Sequence, residues 1–306
     1  MIIAWIILIV GFVLLVRGAD VFVDGAVGIA RRFHIPTIVI GTTLVAIGTS
    51  APEAAISITA AIRGSDGVSI GNVIGSNITN IFLILGVTAL IGAPTIRKNT
   101  KFFELPFVGI ITIVMCFVGM MFGEISRGSA AILLGLFVAF LGYMTAIAYK
   151  ANETPKKLKI MPLSETIVVV ITGIAALIIG ANMITESATD IARYFGVSER
   201  VIGLTLIAFG TSLPELVVCV VAGLKHEFDM AIGNIVGSNI FNILFVLGIS
   251  AVIQPLPFDA AFLTDGAIAL LAVTMLMICV AKKSKLSRIG GLLFIASYVA
   301  YVLYLF

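Results

Sequence analysis

Residues 39–53 read VIGTTLVAIGTSAPE, and residues 201–215 read VIGLTLIAFGTSLPE. Each stretch begins as an apolar helix and then places a Gly, a Thr, a Ser, a Pro and a Glu within six residues. Proline has no amide hydrogen to donate, and its ring crowds the carbonyl four residues earlier, so Pro52 and Pro214 predict a break in two helices. The carbonyl groups released at each break need a new partner.

A second pair of stretches indicates that the chain contains a duplication. Residues 70–81 read IGNVIGSNITNI, and residues 232–243 read IGNIVGSNIFNI. Both pairs align at one offset of 162 residues without a gap, and 25 of the 53 positions between 39–91 and 201–253 are identical. The identities include Gly, Ser, Pro, Asn and Glu, which two unrelated apolar segments would not share. The sequence therefore predicts an internal repeat.

The composition places most of the chain in lipid. Of 306 residues, 60% are hydrophobic and 11% are charged, and the mean hydropathy is +1.19. A soluble protein carries about 25% charged residues. Apolar stretches long enough to cross a bilayer recur along the chain, which predicts an all-α polytopic membrane protein with ten transmembrane helices. We place these spans at 2–33, 37–62, 69–92, 102–122, 128–150, 164–195, 199–224, 230–253, 260–281 and 286–306. The first span has no basic segment before it and no small-residue cleavage site, so we expect it to be retained.

The loops predict an orientation and a division of the chain. With the N-terminus outside, 14 Lys and Arg residues fall in inner loops and four in outer loops. This bias predicts extracellular termini and a cytoplasmic central linker at residues 151–163. Because five spans precede the linker, the second copy enters the membrane from the opposite side. We expect two inverted-topology five-helix repeats, residues 1–150 and 164–306, with broken helices at the midplane.

Two carboxylates in the broken helices are the strongest functional signal. Glu53 and Glu215 lie well inside their spans, where a charge costs a few kcal/mol or more and marks a functional site. Two carboxylates that an inverted repeat brings together do not both stay ionised without a cation. A protonated, purely structural pair of glutamates is the alternative.

The facing segments add amide and hydroxyl oxygens, and their glycines predict close helix approach. These glycines are Gly71, Gly75, Gly233 and Gly237. Carboxylate, carbonyl, amide and hydroxyl oxygens favour hard cations over transition metals. Ca²⁺ takes 6–8 such oxygens in flexible geometry, and Na⁺ is nearly the same size. Some of the asparagines have the alternative role of bonding packed helices to each other. These are Asn72, Asn77, Asn234 and Asn239. Cys116, Cys219 and Cys279 match no metal-site spacing, and we interpret them as packed core thiols.

The first span also carries a charged stripe. Arg17, Asp20, Asp24 and Arg31 share one helical face. One interpretation is a water-exposed helix end with ion pairs inside the helix. The other is a smooth helix that slides against the rest of its half.

The paired GTSAPE/GTSLPE and GNVIGSNITN/GNIVGSNIFN motifs resemble the two signatures of the cation/calcium exchanger superfamily, and most closely those of prokaryotic sodium/calcium exchangers. The resemblance covers essentially the whole chain. It implies eight core helices with two long tilted helices, the first and sixth spans, in front of them, and four cation sites in a diamond. The family's site residues map onto Ala46, Thr49, Ser50, Glu53, Ser76, Asn80, Ala208, Thr211, Ser212, Glu215, Ser238 and Asn242. The resemblance implies that the alanines and threonines contribute backbone carbonyls.

Two positions bear on the subtype within the superfamily. Potassium-dependent members have Asp where Asn242 stands, which argues against K⁺ cotransport. Proton/calcium exchangers place a Glu where Gly75 and Gly237 stand, which makes proton coupling less expected.

These patterns together predict a sodium/calcium antiporter in a cell membrane. It would exchange Na⁺ for Ca²⁺ by alternating access, and the resemblance implies three Na⁺ for each Ca²⁺. A Ca²⁺/H⁺ or K⁺-dependent exchanger of the same fold is the alternative, and a channel or an intramembrane hydrolase using Ser50 are rivals from other classes. We expect a transporter without enzyme activity or a cofactor, and its substrates are Ca²⁺ and Na⁺. Its expected partner is the lipid bilayer and not a nucleic acid, and it is expected to function as a monomer.

Overall fold

The computed structural model describes residues 2–64, 66–150, 162–196 and 208–305. Within these ranges the chain is almost entirely helical. The helices are α1 (Ile2–Arg32), α2 (Thr37–Thr49), α3 (Ala51–Ile62), α4 (Gly67–Gly92), α5 (Thr100–Phe122), α6 (Arg127–Lys150), α7 (Leu163–Tyr194), α8 (Ala208–Thr211), α9 (Leu213–Leu224), α10 (Phe228–Ile253), α11 (Ala260–Val280) and α12 (Arg288–Leu305). Two short strands, β1 (Glu124–Ile125) and β2 (Leu256–Pro257), pair antiparallel and tie the α5–α6 loop to the loop after α10.

Eight of the described helices are long and apolar enough to cross a membrane, and the bent pair α2–α3 makes a ninth span. Their ends fall within a few residues of the predicted bounds. The seventh predicted span, 199–224, lies partly outside the described residues, and α8 and α9 are its described part. Most of the predicted linker, residues 151–161, also lies outside them. The all-helical membrane architecture is confirmed, while ten spans in two inverted repeats stay a prediction.

Helix breaks occur at both predicted places. The axes of α2 and α3 differ by 49°, and the residue between them, Ser50, has φ −85° and ψ 12°. Ser212, between α8 and α9, has nearly the same conformation, with φ −86° and ψ 3°. Each proline then sits in the first turn of the following helix, where its missing amide hydrogen costs nothing. The break therefore falls two residues before the proline, at the serine.

The central helices α4 and α10 are the most buried of the long helices. In the most apolar 18-residue stretch of each helix, 83% of α10 is buried, against 22% of α1. Gly233 and Gly237 of α10 lie directly on the backbone of α2, where an added Cβ would stand 2.6 Å from the Ile38 oxygen and 2.5 Å from the Thr42 oxygen. Close approach is thus confirmed for these two glycines.

For the first-half glycines the predicted approach stays a prediction. The residue equivalent to Thr42, 162 positions later, falls outside the described residues. Among those described, nothing lies within 4 Å of a Cβ placed on Gly75.

Helices α1 and α7 pack on each other along small residues. An added Cβ on Gly18 would stand 2.9 Å from the Leu177 nitrogen, and one on Gly180 would stand 2.7 Å from the Leu15 nitrogen. The two long helices therefore touch at backbone level and expose their other faces.

The charged stripe of α1 binds another element. The Lys225 ammonium, just after α9, lies 2.7 Å from an Asp20 oxygen and 2.6 Å from an Asp24 oxygen. Burial alone would lower the pKa of Lys225, but hydrogen bonds and charge from the two aspartates outweigh it and raise that pKa. Arg31 pairs with Glu227 at 3.3 Å. The interpretation as ion pairs inside the helix is therefore wrong for Asp20, Asp24 and Arg31, because their partners come from the α9–α10 connection. In the equivalent part of α7, Arg193 does pair with Asp190 of its own helix, at 3.6 Å.

Candidate cation site

The two glutamates of the broken helices lie at the centre of the helix bundle. Glu53 is 1% exposed and Glu215 is fully buried. Each carboxylate stands in the first turn of the helix that follows a break, α3 or α9. The N-terminus of a helix carries partial positive charge, so it favours a carboxylate at this position.

Hydroxyl groups of one half hold the carboxylate of the other half. Ser50 donates to Glu215 Oε1 at 2.7 Å, and Ser212 donates to Glu53 Oε1 at 3.4 Å. Thr49 lies against Glu215 in the same way that Thr211 lies against Glu53. The contact is reciprocal, so residues of each repeat complete the half-site of the other repeat.

Four acceptor oxygens at this centre are buried and have no hydrogen-bond partner. They are Glu53 Oε2, Glu215 Oε2, Asn80 Oδ1 and Asn242 Oδ1. Buried polar atoms in folded proteins are nearly always paired, so four unpaired acceptors together need an explanation. All four are electron-pair donors to a cation, and two of them belong to carboxylates.

A network of amides fixes the direction of Asn80 and Asn242. Asn80 Nδ2 donates to Asn239 Oδ1 at 2.9 Å, and Asn242 Nδ2 donates to Asn77 Oδ1 at 3.3 Å. Asn77 and Asn239 in turn each donate to the other's main-chain oxygen, at 3.3 and 3.4 Å. Because each amide nitrogen is held, the oxygen of each amide is turned away from the network and left unpartnered.

Asn80 and Asn242 also begin irregular helical turns. Asn80–Ile84 and Asn242–Val246 are π-helical turns at equivalent places in α4 and α10. Such turns add a residue to the helix and are frequent at functional sites. The sequence gives no period by which they could be predicted.

A further layer of hydrogen bonds supports the site, and it uses Asn72 and Asn234 in the helix-bonding role predicted as their alternative. Thr49 Oγ1 donates to Asn234 Oδ1 at 3.0 Å, and Asn234 Nδ2 donates to the Cys219 sulfur at 3.3 Å. In the first half, Asn72 donates to the Glu53 main-chain oxygen at 3.2 Å and to Ser57 at 2.9 Å. The repeated GN dipeptide is the sequence signal for this layer. Cys219 is fully buried, as expected for a packed thiol.

The structure brings together most of the predicted site residues. The Ser50 and Ser238 hydroxyls are hydrogen-bonded at 2.9 Å, which ties α10 to the break after α2. Ser76 is buried in α4. The Ala46 oxygen accepts a hydrogen bond from the Ser50 amide at 3.0 Å. Ala208 is the first described residue of α8, and its side chain lies outside the described part.

A cavity of about 740 Å³ reaches the site from one side of the bundle. Its lining runs from Arg63, at the end of α3, to Pro52 and Thr211 next to the carboxylates. Thr185 and Asn182 of α7 form part of the opposite wall. The cavity therefore ends beside the carboxylates, which are themselves buried.

Membrane-length helices around a buried, oxygen-lined centre with two carboxylates define a cation transporter of the membrane. The sequence profile of sodium/calcium exchanger proteins matches residues 3–146 and 165–306 of this chain. The chain therefore belongs to the sodium/calcium exchanger family, whose members are transporters.

Individual relatives agree with this assignment over their full length. The putative antiporter CaxA of Alkalimonas amylolytica is 37% identical, with 100% of this chain and 99% of that protein covered. The sodium/calcium exchanger MaX1 of Methanosarcina acetivorans is 32% identical over 99% of this chain and 98% of that protein. Crystals of the sodium–calcium exchanger NCX_Mj soaked with Na⁺ and Sr²⁺ contain a similar fold, with a TM-score of 0.88, 34% identity and 98% coverage of both chains.

Proposed function

We propose that this protein is an electrogenic Na⁺/Ca²⁺ antiporter that binds its ions at the twelve predicted site residues. The observation that carries the proposal is the group of four unpartnered, buried oxygens on Glu53, Glu215, Asn80 and Asn242. The hydroxyl groups of Ser50 and Ser212, each beside the carboxylate of the other repeat, supply further oxygens. An oxygen set of this kind suits Ca²⁺ and Na⁺ and is poor for transition metals.

The charge of the site supports electrogenic exchange. Two ionised carboxylates carry two negative charges, so one Ca²⁺ leaves the site neutral. Three Na⁺ leave it with one positive charge. Moving that charge through the full membrane field changes the free energy of transport by about 2.3 kcal/mol per 100 mV.

Alternating access is proposed to come from α1 and α7 moving together across a fixed core. The two helices touch each other at backbone level through Gly18 and Gly180. The core halves, by contrast, are joined through the site itself by the Ser50–Glu215 and Ser212–Glu53 hydrogen bonds. The inverted arrangement of residues 1–150 and 164–306 would let the same motion open either side.

Crosslinking tests this motion. In a variant without native cysteines, a bismaleimide bridge between Asp20→Cys and Lys225→Cys would tie α1 to α9, and we expect it to stop exchange. The matched bridge joins Arg97→Cys to Asp229→Cys, two residues paired at 2.6 Å within the proposed fixed core. It should leave exchange unchanged. Equal effects of the two bridges would contradict a moving α1.

Ion exchange is tested in vesicles that contain the purified protein. Vesicles loaded with Na⁺ and diluted into Na⁺-free buffer should take up ⁴⁵Ca²⁺, and monensin should abolish this uptake. An inside-positive potential set with K⁺ and valinomycin should accelerate it, because net positive charge leaves with the Na⁺. Uptake that follows a pH gradient without Na⁺ would instead identify the proton-coupled alternative.

The carboxylates are tested by neutral substitutions of the same shape. Glu53→Gln and Glu215→Gln should each abolish exchange, because each removes one of the two charges that balance Ca²⁺. Glu165→Gln, on the exposed first turn of α7, is the control that should keep full activity. Near-normal exchange in either central variant would remove that carboxylate from the site.

The protein's setting is proposed from its sequence. We propose that it resides in a cell membrane with extracellular termini and a cytoplasmic linker. We also propose that it acts as a monomer, because both carboxylates and their partners lie within one chain.

A further inference from the structure

A third buried carboxylate lies outside the central site, between the peripheral helices α5 and α6. Glu104 is 3% exposed, and its Oε2 atom has no hydrogen-bond partner. The hydroxyl of Tyr143, on α6, is also buried and unpartnered. Cation exchange, as proposed above, uses neither group. Two unpaired polar atoms in one place need a ligand or a protonation state to explain them.

Both groups line one cavity of about 250 Å³. The other main walls are Phe103, Phe107, Leu136 and Phe140. The rings of Phe107 and Phe140 stack with centroids 6.0 Å apart, and the Tyr143 ring lies 6.5 Å from both Phe103 and Phe140. The cavity is therefore an aromatic pocket with one carboxylate in its wall.

The cavity opens towards the bilayer. Phe103, at one edge, is 62% exposed on the outer face of α5. Only 28% of the most apolar 18-residue stretch of α6 is buried, so most of that helix faces lipid. A ligand would reach the pocket from the membrane and would need an apolar body.

The neighbouring charged groups leave the carboxylate oxygen available. Arg97 also lies near Glu104, but its guanidinium is bound by Asp229 at 2.6 Å. The Lys101 ammonium donates to the Ala281 oxygen and to Ser284. The buried Thr100 hydroxyl lies against the Glu104 carboxylate from the same helix.

The chemistry of these walls selects a ligand class. A hard metal ion needs about six oxygens, and the side chains that line this pocket offer one carboxylate and one hydroxyl. Aromatic faces beside a carboxylate suit an organic ammonium, which gains both cation–π attraction and a charge-assisted hydrogen bond. A cavity of roughly 150 Å³ accepts benzene, so this larger one has room for an aryl or short alkyl chain carrying one amine. We propose that the pocket binds a lipophilic primary ammonium ion, with Glu104 as its counter-ion.

The proposal is tested by binding of 4-phenylbutylamine, with 4-phenylbutan-1-ol as the uncharged probe of the same shape. Affinity is measured by thermal-shift titration of the purified full chain in saturating Na⁺, which occupies the central site. We expect the amine to bind about ten-fold or more tightly than the alcohol, because a hydrogen bond to a charged group contributes that much. Glu104→Gln should reduce this ratio to about one while leaving the alcohol's affinity unchanged.

A second variant separates the pocket from general effects on folding. Leu136→Trp fills the cavity and should abolish binding of both probes, with Na⁺/Ca²⁺ exchange retained as evidence of the native fold. Equal affinities for amine and alcohol in the unmodified protein, or equal amine affinity with and without Glu104→Gln, would overturn the proposal. Because exchange is measured separately, failure here leaves the proposed exchange function untouched.

Discussion

Replacing Asn77 should weaken ion binding through the orientation of a different residue, Asn242. The side-chain nitrogen of Asn242 donates a hydrogen bond to Asn77 Oδ1 at 3.3 Å, and the side-chain oxygen of Asn242 is buried and unpartnered. Without the acceptor on residue 77, the amide is free to turn over and present its NH₂ group to the cation. Asn77→Leu has nearly the same size and removes that acceptor.

The expected magnitude follows from one neutral hydrogen bond. Such a bond contributes about 0.5–1.5 kcal/mol, and every 1.4 kcal/mol is a factor of ten in affinity. We therefore expect Asn77→Leu to raise the KM for Ca²⁺ by about two- to twelve-fold, with little change in the maximal rate. The assay is Na⁺-driven ⁴⁵Ca²⁺ uptake into vesicles over a range of Ca²⁺ concentrations.

A double-mutant cycle separates orientation from packing. A carboxylate presents an oxygen whichever way it turns. In the Asn242→Asp background, Asn77→Leu should therefore change the KM for Ca²⁺ by less than about two-fold, or lower it instead of raising it. The same substitution combined with Asn80→Asp is the matched control, because Asn80 is held by Asn239 instead. An equal rise in KM in all backgrounds would refute the reasoning and leave Asn77 as a packing residue.

Three further substitutions test other contacts of the site and its supports. Gly237→Ala should lower the melting temperature by the equivalent of about 1–3 kcal/mol, because its Cβ would stand 2.5 Å from the Thr42 oxygen. Ser50→Ala should raise the KM for Ca²⁺, because it removes the 2.7 Å hydrogen bond that orients the Glu215 carboxylate. Lys225→Met should cost less than about 2 kcal/mol of stability, because exposed ion pairs contribute little and the two α1 aspartates are 45% and 59% exposed.

The first two substitutions have matched controls, and all three have a contrary outcome. Gly142→Ala, on α6, meets nothing within 4 Å among the described residues and should leave the melting temperature unchanged. Ser297→Ala removes a hydroxyl that donates only within its own helix, to the Leu293 oxygen, and should leave KM unchanged. A tolerated Gly237→Ala, an unaltered KM in Ser50→Ala, or global unfolding of Lys225→Met would contradict the corresponding contact.

The helix positions and the two carboxylates were predictable because each has a local cause. Apolar runs of membrane length mark the spans, and proline at 52 and 214 marks the breaks. The exact break residue was not predictable in this way. It falls at Ser50 and Ser212, where the chain changes direction so that each proline lies inside the next helix.

The cross-half contacts depend on three-dimensional packing that one sequence does not encode locally. Nothing in the repeat says that Ser50 donates to Glu215 of the other half instead of to its neighbour Glu53. The partners of Asp20 and Asp24 were likewise missed, since Lys225 is about 200 residues away. The π-helical turns at Asn80 and Asn242 depend on the same packing.

The reciprocal contacts also bear on which part of the molecule can move. Each carboxylate is oriented by a serine of the other half, and each ligand amide by an asparagine of the other half. Sliding one half past the other would therefore break buried hydrogen bonds at the ion site itself, each leaving an unpaired group at a cost of about 1–3 kcal/mol. The contacts of α1 with the α9–α10 connection are partly exposed ion pairs, which are far less costly to exchange for water. This energetic difference supports the proposal that α1 and α7 move while the two half-sites stay together.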